Sequence, residues 1–373
     1  MRTIDGRSQR VWTAAVAALV LCAGAPGVSC QGNGPASVPP TSTPDGIAPA
    51  ATDGWLYTAG NHIYRADGTI FRGRGANLHD TRSCWACAWN DPAPEEVIRR
   101  LDTLVDVWGA NFVRLALESY GAGSTEQSNG ARQYGTILED PEYLEDVREI
   151  VDHAGTRPGV VVLLSLWANP SVNDLGWPTD QTREQWRLLA RTFAGSPHVI
   201  FGLVNEPQSN FDHALDPDVW EAMNQTVLAI REEEARLGAP HHVITVQGTG
   251  GWARYLDYYI DHPITAYGGV NVAYEVHVYD PQSEFQDRFI TPSQSLPVVI
   301  GEFGPASGYM TLDDCRALME LAEQHEVPYL AWTFHMNCPP NLLERTEGGC
   351  GIGAPLQPTE WGQLLIDRLE SPW

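Results

Sequence analysis

The stretch Val160-Val161-Val162-Leu163-Leu164-Ser165-Leu166 holds six apolar residues and one serine. An unbroken apolar run of this length predicts a strand that is buried on both faces, as strands of parallel sheets are. Similar runs elsewhere, together with a strand that ends near Asn77, bring the predicted strands to eight. The runs cover residues 111–117, 160–166, 199–204, 242–246, 272–278, 298–300 and 329–332.

Helical patterns lie between these strands. Residues 94–108 carry an apolar stripe at helical spacing, and Thr311 and Asp314 form a capping arrangement at the start of a helix that runs to Gln324. Further helical patterns cover residues 186–193 and 219–237. Strands that alternate with helices in this way are typical of folds with one central parallel sheet.

Eight strands alternating with helices predict an α/β fold, the (β/α)8 TIM barrel. An open, doubly wound sheet is the structural alternative, but no glycine-rich phosphate turn follows the first strand. Residues 55–77 alternate apolar and polar side chains around Ala66-Asp67-Gly68, which predicts an N-terminal β-hairpin with an Asp-Gly turn. We assign the hairpin and the barrel to one domain, residues 54–373.

The composition excludes several classes of binding protein and enzyme. The chain has 373 residues, 43% of them hydrophobic, with a formal net charge of −24 and a pI near 4.7. So acidic a chain repels phosphate backbones, and we therefore expect no nucleic-acid partner. All 23 basic residues are arginine, and the absence of lysine excludes Schiff-base chemistry and the phosphate-binding lysine of a P-loop.

The chain begins with a pattern typical of an export signal, to which we assign residues 1–30. Arginines precede the apolar run 11–21, which is short for a membrane span. Cleavage near Ala25 would release the protein, whereas cleavage before Cys30 would leave a cysteine for acylation and a lipid anchor. Residues 31–53 are rich in Pro, Ser, Thr, Gly and Ala and predict a flexible linker. We therefore expect a secreted protein, either free or membrane-anchored through Cys30.

The cysteines that follow the leader are odd in number. An exported chain favours disulfides, but five cysteines remain after residue 30. Cys315 lies on the apolar stripe of a predicted helix, so we expect a buried free thiol there. The other four, Cys84, Cys87, Cys338 and Cys350, allow three pairings, among which the sequence does not choose.

Two glutamates end otherwise apolar strands. Glu206 follows the fourth predicted strand in Leu203-Val204-Asn205-Glu206-Pro207, and Glu302 follows the seventh in Gly301-Glu302-Phe303-Gly304. The C-terminal ends of barrel strands face one cavity, where active sites of such barrels lie. Two carboxyl groups there predict a pair with separated pKa values, one protonated and one ionised. The alternative is that both merely cap loops or form salt bridges.

These segments resemble glycoside hydrolase family 5, the cellulase-like family with catalytic glutamates on strands four and seven. The resemblance rests on Asn205-Glu206-Pro207, His277-Val278-Tyr279 and Glu302, and it extends from Trp55 to the C-terminus. It implies that the domain is catalytic and that the enzyme retains the anomeric configuration. Glu206 would protonate the leaving oxygen and then activate water, and Glu302 would attack the anomeric carbon.

The resemblance also implies substrate-binding residues around the two glutamates. Asn205 would hydrogen-bond the sugar 2-hydroxyl, an interaction that strengthens towards the transition state. Arg114 and Tyr279 would hold Glu302 ionised and aligned. His277 would orient groups near the acid/base.

Aromatic residues are expected to form the walls of the sugar site. The resemblance implies that Trp332 forms its floor. Most family members have a histidine at the end of strand three, where this chain has Trp167, so we expect an apolar platform and altered substrate binding there. Tryptophans in loops of the predicted active face, which stack on sugars or pack ordinarily, are Trp85, Trp89, Trp177 and Trp252.

The favoured function is that of a retaining endo-β-1,4-glucanase acting on a polysaccharide or oligosaccharide. A β-mannanase or an exo-acting β-glycosidase of the same family is the alternative. A non-catalytic carbohydrate-binding barrel is less favoured, because both glutamates are present. We expect a monomer that needs no cofactor and no metal.

Overall fold

The computed structural model describes residues 54–82, 93–118, 135–167, 176–207, 210–346 and 351–373. Its strands are β1 (Tyr57–Ala59), β2 (His62–Tyr64), β3 (Arg74–His79), β4 (Phe112–Leu117), β5 (Val161–Leu166), β6 (Val199–Gly202), β7 (Val243–Gln247), β8 (Val272–Val278), β9 (Val298–Phe303) and β10 (Tyr329–Ala331). Strands β3 to β10 are parallel and close into a barrel in the order β10-β3-β4-β5-β6-β7-β8-β9. The predicted (β/α)8 barrel is confirmed, and its fourth and seventh strands are β6 and β9.

Helices surround the barrel. They are α1 (Pro94–Asp102), α2 (Pro141–Gly155), α3 (Asp180–Thr192), α4 (Asp216–Leu237), α5 (Asp257–Asp261), α6 (Leu312–Gln324) and α7 (Glu360–Glu370). The capping arrangement predicted before α6 is present, because the Thr311 hydroxyl accepts from the Asp314 N–H and the Asp314 carboxylate accepts from the Thr311 N–H. Between β7 and β9, where the sequence pattern is weak, α5 spans only five residues.

The N-terminal hairpin is present, but it turns earlier than predicted. Strands β1 and β2 pair antiparallel, with Ala59 opposite His62, so the reversal falls at Gly60-Asn61. Asp67-Gly68 instead closes a smaller bend, held by an isolated bridge between Tyr64 and Ile70. The alternation of apolar and polar residues predicts a pair of strands here, but it does not distinguish a turn at Gly60-Asn61 from one at Asp67-Gly68.

The barrel interior divides into an apolar and a polar half. Residues that begin the strands form one apolar cluster together with three residues of the N-terminal segment, so that segment covers the N-terminal end of the barrel. The cluster comprises Leu56, Ile63, Phe71, Phe112, Val161, Leu163, Ile200, Val243, Ala273, Val299 and Leu330. Further along the same strands the inward side chains become polar. Strands β4, β5, β8 and β9 are buried at every residue, which confirms the prediction of strands covered on both faces.

A buried ionic network lies between α4 and the start of β7. Arg231 and Glu234 are fully buried and form an ion pair at 2.7 Å. The other oxygen of Glu234 contacts Nδ1 of His242 at 2.8 Å. The residue types resemble those of an active site, but the network is at the N-terminal end of the barrel, remote from the strand ends that carry Glu206 and Glu302.

The cysteine predictions are tested in part. Cys315 is a buried free thiol, as expected. Cys338 is disulfide-bonded, and Cys84, Cys87 and Cys350 lie outside the described residues, as do the predicted signal and linker. Among the described helices, none has the length and apolar character needed to cross a membrane.

Candidate active site

Glu302 reaches the barrel interior through an irregularity of β9. Glu275 of β8 pairs with Val299, but His277 pairs with Glu302 instead of Gly301, because the register shifts between the two pairs. The additional residue turns the Glu302 side chain inward, towards His277. Such bulges commonly re-aim a side chain next to an active site.

Glu206 follows β6 in a strained backbone conformation. Its φ is +47°, in the left-handed region that non-glycine residues rarely adopt and that is often found at functional sites. Its N–H donates to Oε1 of Gln247, the last residue of β7, at 2.5 Å. This bond supports the turn that carries the Glu206 side chain, of which 25% remains exposed.

The Arg114 guanidinium joins several strand ends. It is fully buried, and its Nη1 donates to Oδ1 of Asn77 at 2.8 Å and to Oε1 of Glu302 at 2.9 Å. Its Nη2 donates to Oδ1 of Asn205 at 2.6 Å. Asn77 also donates to the carbonyl oxygen of Gly301 at 2.9 Å. Both the oxygen and the nitrogen of its side-chain amide are therefore hydrogen-bonded within the protein.

His277 lies between the two glutamates. Its Nδ1 is 2.9 Å from Oε1 of Glu206 and 3.5 Å from Oε2 of Glu302. The Tyr279 hydroxyl donates to the same Oε2 at 3.0 Å. One carboxylate oxygen of Glu206 and one of Glu302 lie within 4.8 Å of each other. Two residues 96 positions apart in the chain thus meet in one cluster.

Burial and the neighbouring charges both shift the pKa values of Glu302 and His277. Burial is the largest influence on the pKa of Glu302 and raises it, and the nearby Glu206 raises it further. His277, Arg114 and Tyr279 lower it. The pKa of Glu302 remains above its ordinary value. Burial lowers the pKa of His277, but the surrounding carboxylates together raise it to about 9. The imidazole is therefore a cation at neutral pH.

The two predicted aromatic residues lie against each other. The rings of Trp167 and Trp332 are stacked, with centroids 5.8 Å apart and planes 15° from parallel. His79 packs edge-on against both, at 6.0 Å and 5.3 Å. The backbone N–H of Trp332 donates to the Phe303 carbonyl at 2.8 Å, which fixes the aromatic pair beside β9. In place of a histidine, this chain has a second indole face.

Of the loop tryptophans, Trp252 is exposed. The residue is 44% exposed, and its ring centroid is 5.0 Å from that of Phe211. Its backbone N–H donates to the carbonyl of Pro207 at 2.9 Å, so this exposed pair is tied to the segment that carries Glu206. Trp177 is buried at 9% exposure and packs in the core. Trp85 and Trp89 lie outside the described residues.

Glu275 and Gln247 belong to this cluster, but the sequence analysis does not single them out. Glu275 lies 3.2 Å from His277 and 3.0 Å from Arg114, and Gln247 bonds the backbone of Glu206. A signal for Glu275 existed, because residues two apart on a strand share a face and Glu275 precedes His277 by two. No comparable signal marks Gln247 beyond its place at a strand end.

Comparison with known families agrees with this geometry. Residues 64–337 match the family model for Cellulase (glycosyl hydrolase family 5). This match covers most of the chain, and the chain belongs to glycosyl hydrolase family 5. The resemblance inferred from the sequence is thereby confirmed.

Individual relatives are distant. Endoglucanase C of Evansella cellulosilytica is 25% identical over 191 residues, which are 47% of this chain and 21% of that protein. The chain thus spans about a fifth of that relative's length. The catalytic domain of Thermobifida fusca endoglucanase Cel5A superposes with a TM-score of 0.64 at 18% identity, covering 86% of this chain and 98% of that one. The catalytic domain of a Streptomyces mannanase superposes with a TM-score of 0.61 at 22% identity, covering 84% of this chain and 90% of that one. At these identities the structural likeness establishes the fold.

Replacing Tyr279 by phenylalanine should raise the pKa of Glu302 by about one unit, because the carboxylate loses a hydrogen-bond donor. Carbon-13 NMR titration of the glutamate carboxyl groups measures this pKa. Tyr329→Phe is the matched control, since its hydroxyl donates to Glu323 at 2.8 Å and not to the cluster. A Glu302 pKa that moves equally in both variants, or in neither, would contradict the assigned contact.

Proposed function

We propose that the protein is a secreted retaining β-glycosidase that cleaves β-1,4-glucan within the chain by double displacement. The observation that carries the proposal is the approach of Glu206 and Glu302, since one carboxylate oxygen of each lies within 4.8 Å of the other. Retaining enzymes need their carboxyl groups about 5–5.5 Å apart, whereas inverting enzymes leave about 6.5–9.5 Å for a water molecule. The observed spacing supports retention.

In the first step Glu302 is the nucleophile. Arg114 and Tyr279 each donate to one of its oxygens, and these bonds favour the ionised carboxylate against burial. Attack on the anomeric carbon forms a glycosyl ester and breaks the bond to the leaving oxygen. Glu206 gives that oxygen its proton. Two carboxyl groups this close favour the state in which they share a single proton, so one can act as acid while the other is ionised.

In the second step Glu206 acts as base. It takes a proton from water, which attacks the anomeric carbon and releases Glu302. Esterification has by then removed the negative charge of Glu302. Oδ1 of Asn205 is engaged by Arg114, which orients the amide so that its N–H group can donate to the sugar 2-hydroxyl.

The substrate assignment rests on the aromatic surfaces and on the relatives. Sugar rings stack on indole faces, and the stacked pair Trp167 and Trp332 and the exposed pair Trp252 and Phe211 offer such faces near Glu302 and Glu206. A Thermobifida fusca endoglucanase variant of the same fold was solved with cellotetraose. The export pattern at residues 1–30 supports an extracellular site of action, free or lipid-anchored, and we propose a monomer.

Purified protein should release reducing ends from carboxymethylcellulose faster than from mannan or β-1,3-glucan. Products of mixed length early in the reaction would indicate cleavage within the chain, whereas one short product would indicate exo action. Faster cleavage of mannan would reassign the substrate to that polymer. Inactivity on all three polymers would overturn the polysaccharide proposal.

Glu302→Ala should lower kcat by about 10⁴-fold or more, because no group remains to form the covalent intermediate. Added azide should restore part of the activity on an aryl β-glycoside and give a glycosyl azide of inverted configuration, which proton NMR of the anomeric signal identifies. Wild-type enzyme with azide is the control and should give the retained sugar. Rescue without inversion would contradict the role of Glu302.

Glu206→Ala should lose about 10²- to 10⁴-fold on unactivated oligosaccharides, the usual contribution of a general acid. Aryl glycosides with acidic leaving groups need little protonation, so their glycosylation step should be much less affected. Burst kinetics separate this step from the hydrolysis of the intermediate. Equal losses of the glycosylation rate on both substrates would argue against Glu206 as the acid.

A further inference from the structure

Glu275 is a third glutamate at this cluster and it is completely buried. Its side chain has no exposed surface. Oε1 lies 3.0 Å from Nε of Arg114 and 3.2 Å from Nε2 of His277, and it accepts a hydrogen bond from Nε2 of Gln247 at 3.1 Å. Oε2 accepts from the Thr245 hydroxyl at 2.6 Å.

These partners keep the buried carboxylate ionised. Burial alone raises the pKa of Glu275, but Arg114, His277 and Thr245 together lower it to about 2. An isolated carboxylate at this depth would take up a proton instead of remaining charged. Glu275 is therefore a fixed negative charge beneath the site, out of reach of solvent.

The three side chains around Oε1 of Glu275, which are Arg114, His277 and Gln247, each contact one of the proposed catalytic glutamates. Arg114 donates to Glu302. His277 contacts Glu206 through the ring nitrogen that does not face Glu275. Gln247 accepts from the backbone N–H of Glu206, at the residue whose φ is +47°. One carboxylate thus supports the side chain of Glu302 and both the side chain and the backbone of Glu206.

The local packing leaves room for this carboxylate. A Cβ atom on Gly301, one residue before Glu302, would come within 2.2 Å of Oε1 of Glu275. No side chain larger than hydrogen therefore fits at position 301 while Glu275 keeps its place.

We propose that Glu275 is a positioning residue that orients His277, Arg114 and Gln247, and thereby sets the geometry of both catalytic glutamates. It does not touch the substrate and acts through these three neighbours. The proposal rests on the roles proposed above for Glu206 and Glu302.

The pH dependence follows from the charges around His277. Carboxylates face it from β8 (Glu275), β9 (Glu302) and the segment after β6 (Glu206); Arg114 of β4 is the nearby cation, and Tyr279 bonds Glu302. Glu275→Gln removes one negative charge beside His277. Because anions favour the protonated ring, the His277 pKa should fall by about 1 to 3 units. The same loss of charge lowers the proton affinity of the whole cluster, so the alkaline limb of kcat/KM should move to lower pH.

The experiment compares wild type with Glu275→Gln. On an aryl β-cellobioside, kcat should fall about 10²-fold, the effect of a small misplacement of reacting groups, with KM within about threefold. Nitrogen-15 NMR of the His277 ring should report the lowered pKa. A kcat within about threefold of wild type, or a loss of activity that leaves both the alkaline limb and the His277 pKa in place, would overturn the proposal.

Glu234→Gln is the matched control. Glu234 is also fully buried and also contacts an arginine and a histidine, but at the opposite end of the barrel. This variant tests the cost of removing a buried charge in general, and it should leave kcat and the pH profile at wild-type values. A shift of the alkaline limb in this variant as large as in Glu275→Gln would remove the support for a local effect.

Glu275→Asp keeps the charge and moves it. Its kcat should fall about tenfold, since the contacts to Arg114 and His277 lengthen, while the alkaline limb stays near that of wild type. This variant decides the question if Glu275→Gln does not fold, and an unchanged kcat would then overturn the proposal. If wild-type protein cleaves no glycoside, the proposed function fails, and the His277 pKa in the variants still decides whether Glu275 controls its charge.

Discussion

The buried guanidinium of Arg114 is the interaction on which the polar half of the barrel depends. A cation with no exposed surface is costly unless anions and hydrogen-bond acceptors surround it. Asn77, Asn205, Glu275 and Glu302 fill that requirement from four different strands or strand ends. Because each of them also bonds or contacts something else, the position of the Glu302 carboxylate is tied to the closure of the barrel itself.

This network is held firmly because of what lies beneath it. The apolar cluster at the N-terminal end, which includes Leu56, Ile63 and Phe71, is almost completely buried. Fixed charges above such a base are weakly screened, so His277 remains a cation among three carboxylates and Glu275 remains ionised at full burial. The placement of charge on rigid strands favours preorganised chemistry over chemistry assembled by moving loops.

Sequence reasoning predicted much of this site, and its failures have physical causes. Strand-end glutamates are visible because a carboxylate stands out after an apolar run, and this located Glu206 and Glu302. The bulge that turns Glu302 inward depends on register between strands, which no single strand encodes. The spacing of Glu275 and His277 places both side chains on one face of β8, but the contact between Glu275 and Arg114 joins two different strands and is not visible in either strand alone. The stacking of Trp167 on Trp332 likewise joins residues that are far apart in the chain.

The contact between Gly301 and Glu275 has a consequence for engineering this barrel. A library that changes one position at a time would record Gly301 as intolerant, since a methyl group at 301 and the carboxylate at 275 would occupy the same space. Variation at the two positions is therefore epistatic. To change the buried charge beneath this site, the two positions must be exchanged together, so that a smaller residue at 275 accompanies any side chain introduced at 301.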